Sequence, residues 1–184
     1  MTLADNQNPE PIFPANLLSQ TDNTKPWRVA HTKSRREKAL ANYLAEAGIG
    51  YYLPMYQRRQ PGGKRVRYSL MPLFSGYLFF QGDTFDRHYA LRSNQIARVI
   101  EVRDPDRLVH ELRNIRTVLV NELPVYPYNY IVEGDRVRVK NGPLKDVEGV
   151  LERKAKNYRL VILVEAISQS IVVNIDADMV EPLS

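Results

Sequence analysis

A segment with two prolines, NELPVYPYNY (Asn121–Tyr130), divides the chain into two parts whose apolar residues follow different rhythms. Proline lacks an N–H and holds φ near −65°, so such a stretch stiffens toward an extended connector and cannot continue a helix. Before it, apolar residues recur at intervals of three and four in two places. After it, they alternate with charged ones. One repeating layer cannot satisfy both patterns, so two small domains joined by residues 121–130 are expected, and 184 residues suffice for both.

In the first part, Trp27–Thr32 (WRVAHT) reads as a strand, and Ser34 opens a helix with Glu37 three residues on as the partner of a capping box. Ala39, Leu40, Tyr43, Leu44 and Ala47 form one helical face, and Gly48 ends it. Ile49–Arg59 has the aromatic density of a strand, Pro61-Gly62-Gly63 is a turn, and Pro72–Gln81 is a further strand. Asp83 or Thr84 can cap a short helix, and Ala97–Val102 returns to strand. Asp104-Pro105 starts a second well-marked helix through Leu108, Leu112, Ile115 and Leu119. Residues 26–120 thus suit an α+β layer, helices packed on a mostly antiparallel sheet.

Residues 131–184 read differently. Val137 and Val139 alternate with Arg136, Arg138 and Lys140, Asn141-Gly142-Pro143 turns the chain, and β-branched runs follow at Tyr158–Ile167 and Ile171–Ile175. A small all-β barrel of short strands is expected. Residues 1–25, polar and without period, are expected to be a disordered N-terminal arm. Their apolar island of Ile12, Phe13, Leu17 and Leu18 is either a short docking segment or the stray apolar content common at chain ends.

Charge is distributed as unevenly as pattern. Residues 26–120 hold 17 basic and 8 acidic side chains, whereas residues 131–184 hold 8 and 9. A polyanion contact is therefore expected on the first domain and another kind of partner on the second. Arg58, Arg59, Lys64, Arg65 and Arg67 cluster without an acid around the expected hairpin, beside Tyr56 and Tyr68, and Arg35, Arg36 and Lys38 add a second group on the first helix. Cations interleaved with aromatics suit phosphates and stacked bases, although charge runs are more often simply solvated faces.

Chemistry is not signalled. The chain has no cysteine, which removes disulfides, thiolate metal sites and thiol nucleophiles. His31, His88 and His110 stand apart from any nucleophile or acid pattern, no glycine-rich phosphate loop or paired metal-ligand spacing occurs, and Asp176 with Asp178 reads as solvated. No enzyme activity, cofactor or metal is expected. No apolar run approaches the ~20 residues that span a bilayer, and the first residues lack a signal peptide's order, so a cytoplasmic monomer without membrane contact is expected.

Several of these stretches together resemble a known family. GDRVRVKNGPLKDVEGVL places Gly134, Val137, Val139, Gly142, Pro143 and Gly149 as in a KOW motif, and WRVAHTKSRREKAL, YYLP and PLFSGYLFF resemble the N-terminal (NGN) domain of NusG-type transcription factors. The linker and barrel look most like specialised paralogues of the UpxY and RfaH kind. The resemblance covers residues 26–184 and implies an NGN domain followed by an SH3-like KOW barrel.

It also implies transcription elongation and antitermination, in which the NGN domain binds the clamp helices of the largest RNA polymerase subunit through an apolar pocket near the DNA of the transcription bubble. The matching positions are Phe74, Tyr77 and Phe79, with Trp27, Tyr52, Leu53 and Pro54 as neighbours. Aromatics are favoured interface anchors, yet strand aromatics also commonly fill cores. A NusE-type ribosomal protein is the candidate partner of the KOW domain. Leu144 and Ile167-Ser168-Gln169 replace the aromatic and the Phe-Gly-Arg patch of housekeeping NusG, so Rho binding is not carried over. A ribosome-associated KOW protein that binds RNA is the alternative reading.

Overall fold

The computed structural model describes residues 8–19, 25–60, 67–128, 134–154 and 157–183. The chain forms two compact units, Met1–Glu101 and Val102–Ser184. This division falls before the second well-marked helix, whereas the change of sequence pattern falls after it.

The first unit is built on a five-stranded antiparallel sheet. Its strands are β1 (Ile12–Phe13), β2 (Trp27–Thr32), β3 (Gly50–Tyr52), β6 (Tyr77–Gln81) and β7 (Ile96–Glu101), in the order β1-β3-β6-β2-β7. Two helices, α1 (Glu37–Glu46) and α2 (Thr84–Arg92), accompany it. Leu40, Ala41 and Leu44 of α1 meet Ala30, Tyr51, Leu78 and Phe80 of the sheet in one buried cluster, which fixes the face that the helices cover. A separate two-stranded ribbon, β4 (Met55–Gln60) with β5 (Arg67–Pro72), leaves this sheet after β3 and returns to it at β6.

Local chemistry explains where the elements depart from the sequence reading. The expected strand Ile49–Arg59 breaks at Leu53-Pro54, because proline supplies no N–H to a central ladder. The expected strand Pro72–Gln81 breaks at the turn before β6, where Gly76 takes φ 84°, a conformation that costs glycine little. The Ser34–Glu37 capping box does not form. Arg36 is the N-cap and makes no side-chain cap, while the Glu37 carboxylate instead accepts the Gly76 N–H at 2.6 Å. A true capping box closes at α2, where Asp83 and Asp86 exchange side-chain and backbone hydrogen bonds at 2.9 Å in each direction.

Residues 8–19 correct the expectation of a disordered arm. Ile12 and Phe13 pair with Tyr52 and Tyr51, so the arm supplies the edge strand, and Leu17 and Leu18 are buried. Gly50 makes room for this docking, since a Cβ there would stand 2.8 Å from Leu17 Cδ1. The apolar island is thus a docking segment.

In the second unit α3 (Pro105–Val120) precedes six strands: β8 (Tyr126–Tyr128), β9 (Asp135–Val139), β10 (Glu148–Lys154), β11 (Asn157–Val164), β12 (Gln169–Ile175) and β13 (Val180–Pro182). They form one antiparallel sheet in the order β13-β9-β10-β11-β12-β8. The fold is therefore α+β followed by a β-rich unit. Asp104 caps α3, its carboxylate accepting the Arg107 N–H at 3.0 Å, and Pro105 occupies the first turn as expected.

The helix packs on β11. Leu108, Leu112, Ile115 and Val118 are buried along it. Polar contacts add direction. The Glu165 N–H donates to Glu111 at 3.1 Å, His110 lies 3.2 Å from Glu148, and Asn121 donates to the Pro143 carbonyl at 3.0 Å.

Burial pushes the Glu148 carboxyl up, but hydrogen bonds from Arg138 and His110 and their charges outweigh it and hold the group below the ordinary carboxylate range. Burial also pushes Glu111 up, and there the Glu165 amide and Arg107 offset it only in part. The two carboxyls therefore act oppositely with pH. Glu148 stabilises the fold above the usual carboxyl pKa of about 4.3 and loses this as pH falls through its lowered value. Glu111 favours the fold when protonated and loses that contribution as pH rises through its raised value. Glu148→Gln is expected to shrink the stability lost between pH 7 and pH 3, read from denaturant midpoints; an unchanged loss rules out this role for Glu148.

Each buried leucine or isoleucine of α3 is worth about 1.5–3 kcal/mol against exposure. A fragment of residues 102–184 is thus expected to remain β-rich and to unfold at higher denaturant than residues 131–184. Equal midpoints in a urea titration followed by circular dichroism contradict a stabilising role for the helix.

Candidate functional site

The ribbon presents the first of the two basic groups. Arg58 stands opposite Ser69, Arg59 opposite Tyr68, and Gln60 opposite Arg67. Directly opposed residues share a face, so Arg59 and Tyr68 form a cross-strand pair of cation and aromatic. Arg58 and Arg59 are exposed, and Tyr68 is 62% exposed, far more than a tyrosine that packs into a core. At the ribbon's base the same face carries Met55, which is buried, and Leu70, which packs against the helix-backed core. The ribbon is therefore apolar where it is rooted and cationic where it projects. Lys64 and Arg65 lie outside the described residues, and Arg67 opens β5.

The second basic group divides. Arg35 and Arg36 are exposed in the turn before α1, where Arg35 adopts φ 59°. Lys38 does not stand on the wet side with them. It is half-buried, and its Nζ donates at 2.6 Å both to Asn8 Oδ1 and to the Leu70 carbonyl. Sequence periodicity alone could not show this, because both acceptors belong to segments distant along the chain.

The aromatic positions obey the alternation of the strands. The register aligns Tyr52, Phe79 and Val29 across β3, β6 and β2 on the sheet face opposite the α1 cluster. Trp27, Tyr52, Leu53, Pro54, Phe74 and Phe79 are all buried, and Phe74 meets Phe79 edge to face with ring centroids 6.3 Å apart. The structure thus places six of the seven expected polymerase contacts in packed surroundings, the outcome that strand aromatics usually have.

Tyr77 is the exception. It is half-exposed and lies in a row with His31 and Arg98 across β6, β2 and β7, its ring centroid 5.1 Å from that of His31. The sequence marked His31 only as a histidine apart from any acid or nucleophile pattern and did not single out Arg98. The signal lay in pairing His31 of WRVAHT with both Tyr77 and Arg98, which needs the register as well as the alternation. Phe85 of α2 is 84% exposed.

Among the described residues no group of three histidines or carboxylates could hold a metal ion, and no helix is long and apolar enough to cross a membrane. What the geometry offers is contact: a cationic ribbon, a packed aromatic layer with one open tyrosine, and a separate β-rich unit.

Residues 25–122, more than half of the chain, match the family described as transcription termination factor NusG. The chain belongs to the NusG family of transcription factors. Its fold is shared with the solved structure described as domain interaction in Thermotoga maritima NusG, at 20% identity and a TM-score of 0.51, over 89% of this chain and 100% of that one. The MjSpt4:Spt5 complex in conformation B is similar over 86% of this chain and 97% of that one, at 17% identity, but its TM-score of 0.30 is too low to bear on the fold. No curated protein matches the chain in sequence.

The burial contrast between two residues of β6 separates an enclosed side chain from a half-exposed one. Phe79→Ala is expected to cost about 3–5 kcal/mol of stability, as for an enclosed aromatic. Tyr77→Ala should cost less than half as much. Guanidinium melts of the two variants test this, and equal losses refute the assignment of Tyr77 to the open end of the sheet.

Proposed function

We propose that this chain is an operon-specific NusG paralogue, akin to the UpxY and RfaH kind, that accompanies RNA polymerase during elongation and suppresses pausing or termination. Its first unit, the NGN domain, engages the clamp helices of the largest polymerase subunit through the sheet face on which Tyr77 stands half-exposed, with Phe79 packed beneath as support. Its ribbon lies along DNA near the transcription bubble. The barrel, as a KOW domain, recruits a further partner, of which a NusE-type ribosomal protein is the candidate, and the factor acts in the cytoplasm as a binding protein and not as a catalyst.

One observation carries this reading: exposed Arg58 and Arg59 project beside an exposed Tyr68 on a ribbon that stands apart from the main sheet. Lysine and arginine displace counterions from phosphates, and an aromatic face accepts a base by stacking. Such a ribbon suits a nucleic-acid strand of unspecified sequence.

The test compares the wild type with Arg58→Ala/Arg59→Ala and with Lys64→Ala/Arg65→Ala. Affinity for polymerase on a nucleic-acid scaffold is measured against salt, and affinity for core polymerase alone serves as the control. Each cation taken from a phosphate should flatten the log–log salt slope by roughly 0.7–0.9, while binding to polymerase alone stays near the wild-type value. Equal slopes for all three proteins would show the cluster to be a solvated surface. Failure to bind core polymerase, together with cofractionation with ribosomes when transcription is blocked, would favour the ribosomal RNA-binding alternative.

A further inference from the structure

The N-terminal arm and the basic ribbon are joined at two places. On the β4 side, Leu53 N–H, one residue before the Pro54 that interrupts the strand, donates to the Pro11 carbonyl of the arm at 2.7 Å. On the β5 side, the Leu70 carbonyl accepts from Lys38, and the same ammonium reaches Asn8 Oδ1, both at 2.6 Å. The base of the ribbon is closed between these points, where Leu73 N–H donates to the Pro54 carbonyl at 2.8 Å. The arm itself is held by the β1–β3 pairing, by Tyr51, whose hydroxyl donates to the Glu10 carbonyl at 2.9 Å, and by Leu17 packed at Gly50.

We propose that Lys38 is a positioning residue, which with Asn8 ties the arm to the base of the ribbon and so sets the pose in which Arg58 and Arg59 meet nucleic acid. The importance of that pose rests on the functional reading above, whereas the tie itself does not. A two-stranded ribbon turns unpaired carbonyls outward along its edges. Lys38 uses one of them as an anchor from the first turn of α1. A lysine that donates twice within its own fold is held in one geometry, unlike a surface lysine that follows a phosphate. The cationic end of the ribbon then projects from a base fixed on both of its strands, and less orientational freedom is lost when it binds.

Two variants of the full chain test this, Lys38→Met and Asn8→Ala. The second removes an anchor without removing a charge. In the free protein both are expected to speed amide exchange in β1 and in β4–β5, on the order of tenfold, as local opening becomes easier, while exchange in β2 is unchanged. On the polymerase scaffold both should bind several-fold more weakly with the wild-type salt slope, since every cation that meets a phosphate is retained. A slope flattened by roughly 0.7–0.9 in Lys38→Met alone, with ribbon exchange unchanged, would make Lys38 an ordinary phosphate ligand and overturn the proposal. Unchanged exchange in both variants overturns it as well. A wild-type protein with no salt-dependent scaffold binding would instead remove the nucleic-acid reading, and the exchange data would still decide whether the tie exists.

Discussion

The first unit depends on one strand being paired on both sides. β2 lies between β6 and β7, with Val29 opposite Phe79 and Ile100, and Ala30 opposite Leu78 and Val99. Shifting this register by one residue would turn every side chain of the strand to the other face. Ala30 would leave the cluster beneath α1, and the aromatic layer on the opposite face would lose Val29 beside Phe79. Helix docking and the shape of the aromatic face both follow from that single alignment.

Much of this was legible in the sequence where one residue type has one dominant physical use. Asp104-Pro105 marked the start of α3 because a carboxylate caps and a proline tolerates the first turn, and no distant group interferes. Ser34 and Glu37 carried an equally good local signal, but Gly76 claimed the Glu37 carboxylate across the fold and the box did not close. Pro54 was visible as a proline, and weighing its missing N–H against the aromatic density around it would have divided the strand correctly. The arm was harder to read. Four apolar residues among polar ones gain meaning only once β3 presents an unpaired edge and Gly50 leaves space beside it.

The candidate site was legible in composition and less so in geometry. The basic ribbon could be located because its cations are close together in the chain and free of acids. Lys38 looked the same by type and neighbourhood, and only its two acceptors set it apart. The aromatics posed the converse problem. Alternation showed that Tyr77 and Phe79 share a face, but whether that face is enclosed is decided by the whole fold, and Phe79 is buried where Tyr77 is half-open. Likewise the proline segment marked a real change of pattern, yet α3, which precedes it, packs in the β-rich unit, because an amphipathic helix belongs wherever its apolar stripe finds cover.

The isolation of the ribbon has a consequence for the protein's behaviour in concentrated solution. Two strands that pair only with each other among the described residues leave two edges that no further strand covers, and beyond the Lys38 anchor at Leu70 such an edge is a template on which the same ribbon of another molecule can add. Arg58 and Arg59 oppose this, because two copies brought edge to edge would set like charges side by side. Replacing them with neutral residues therefore removes a barrier to self-association as well as a surface for phosphates, and a neutralised ribbon will tend toward intermolecular sheet and lower solubility.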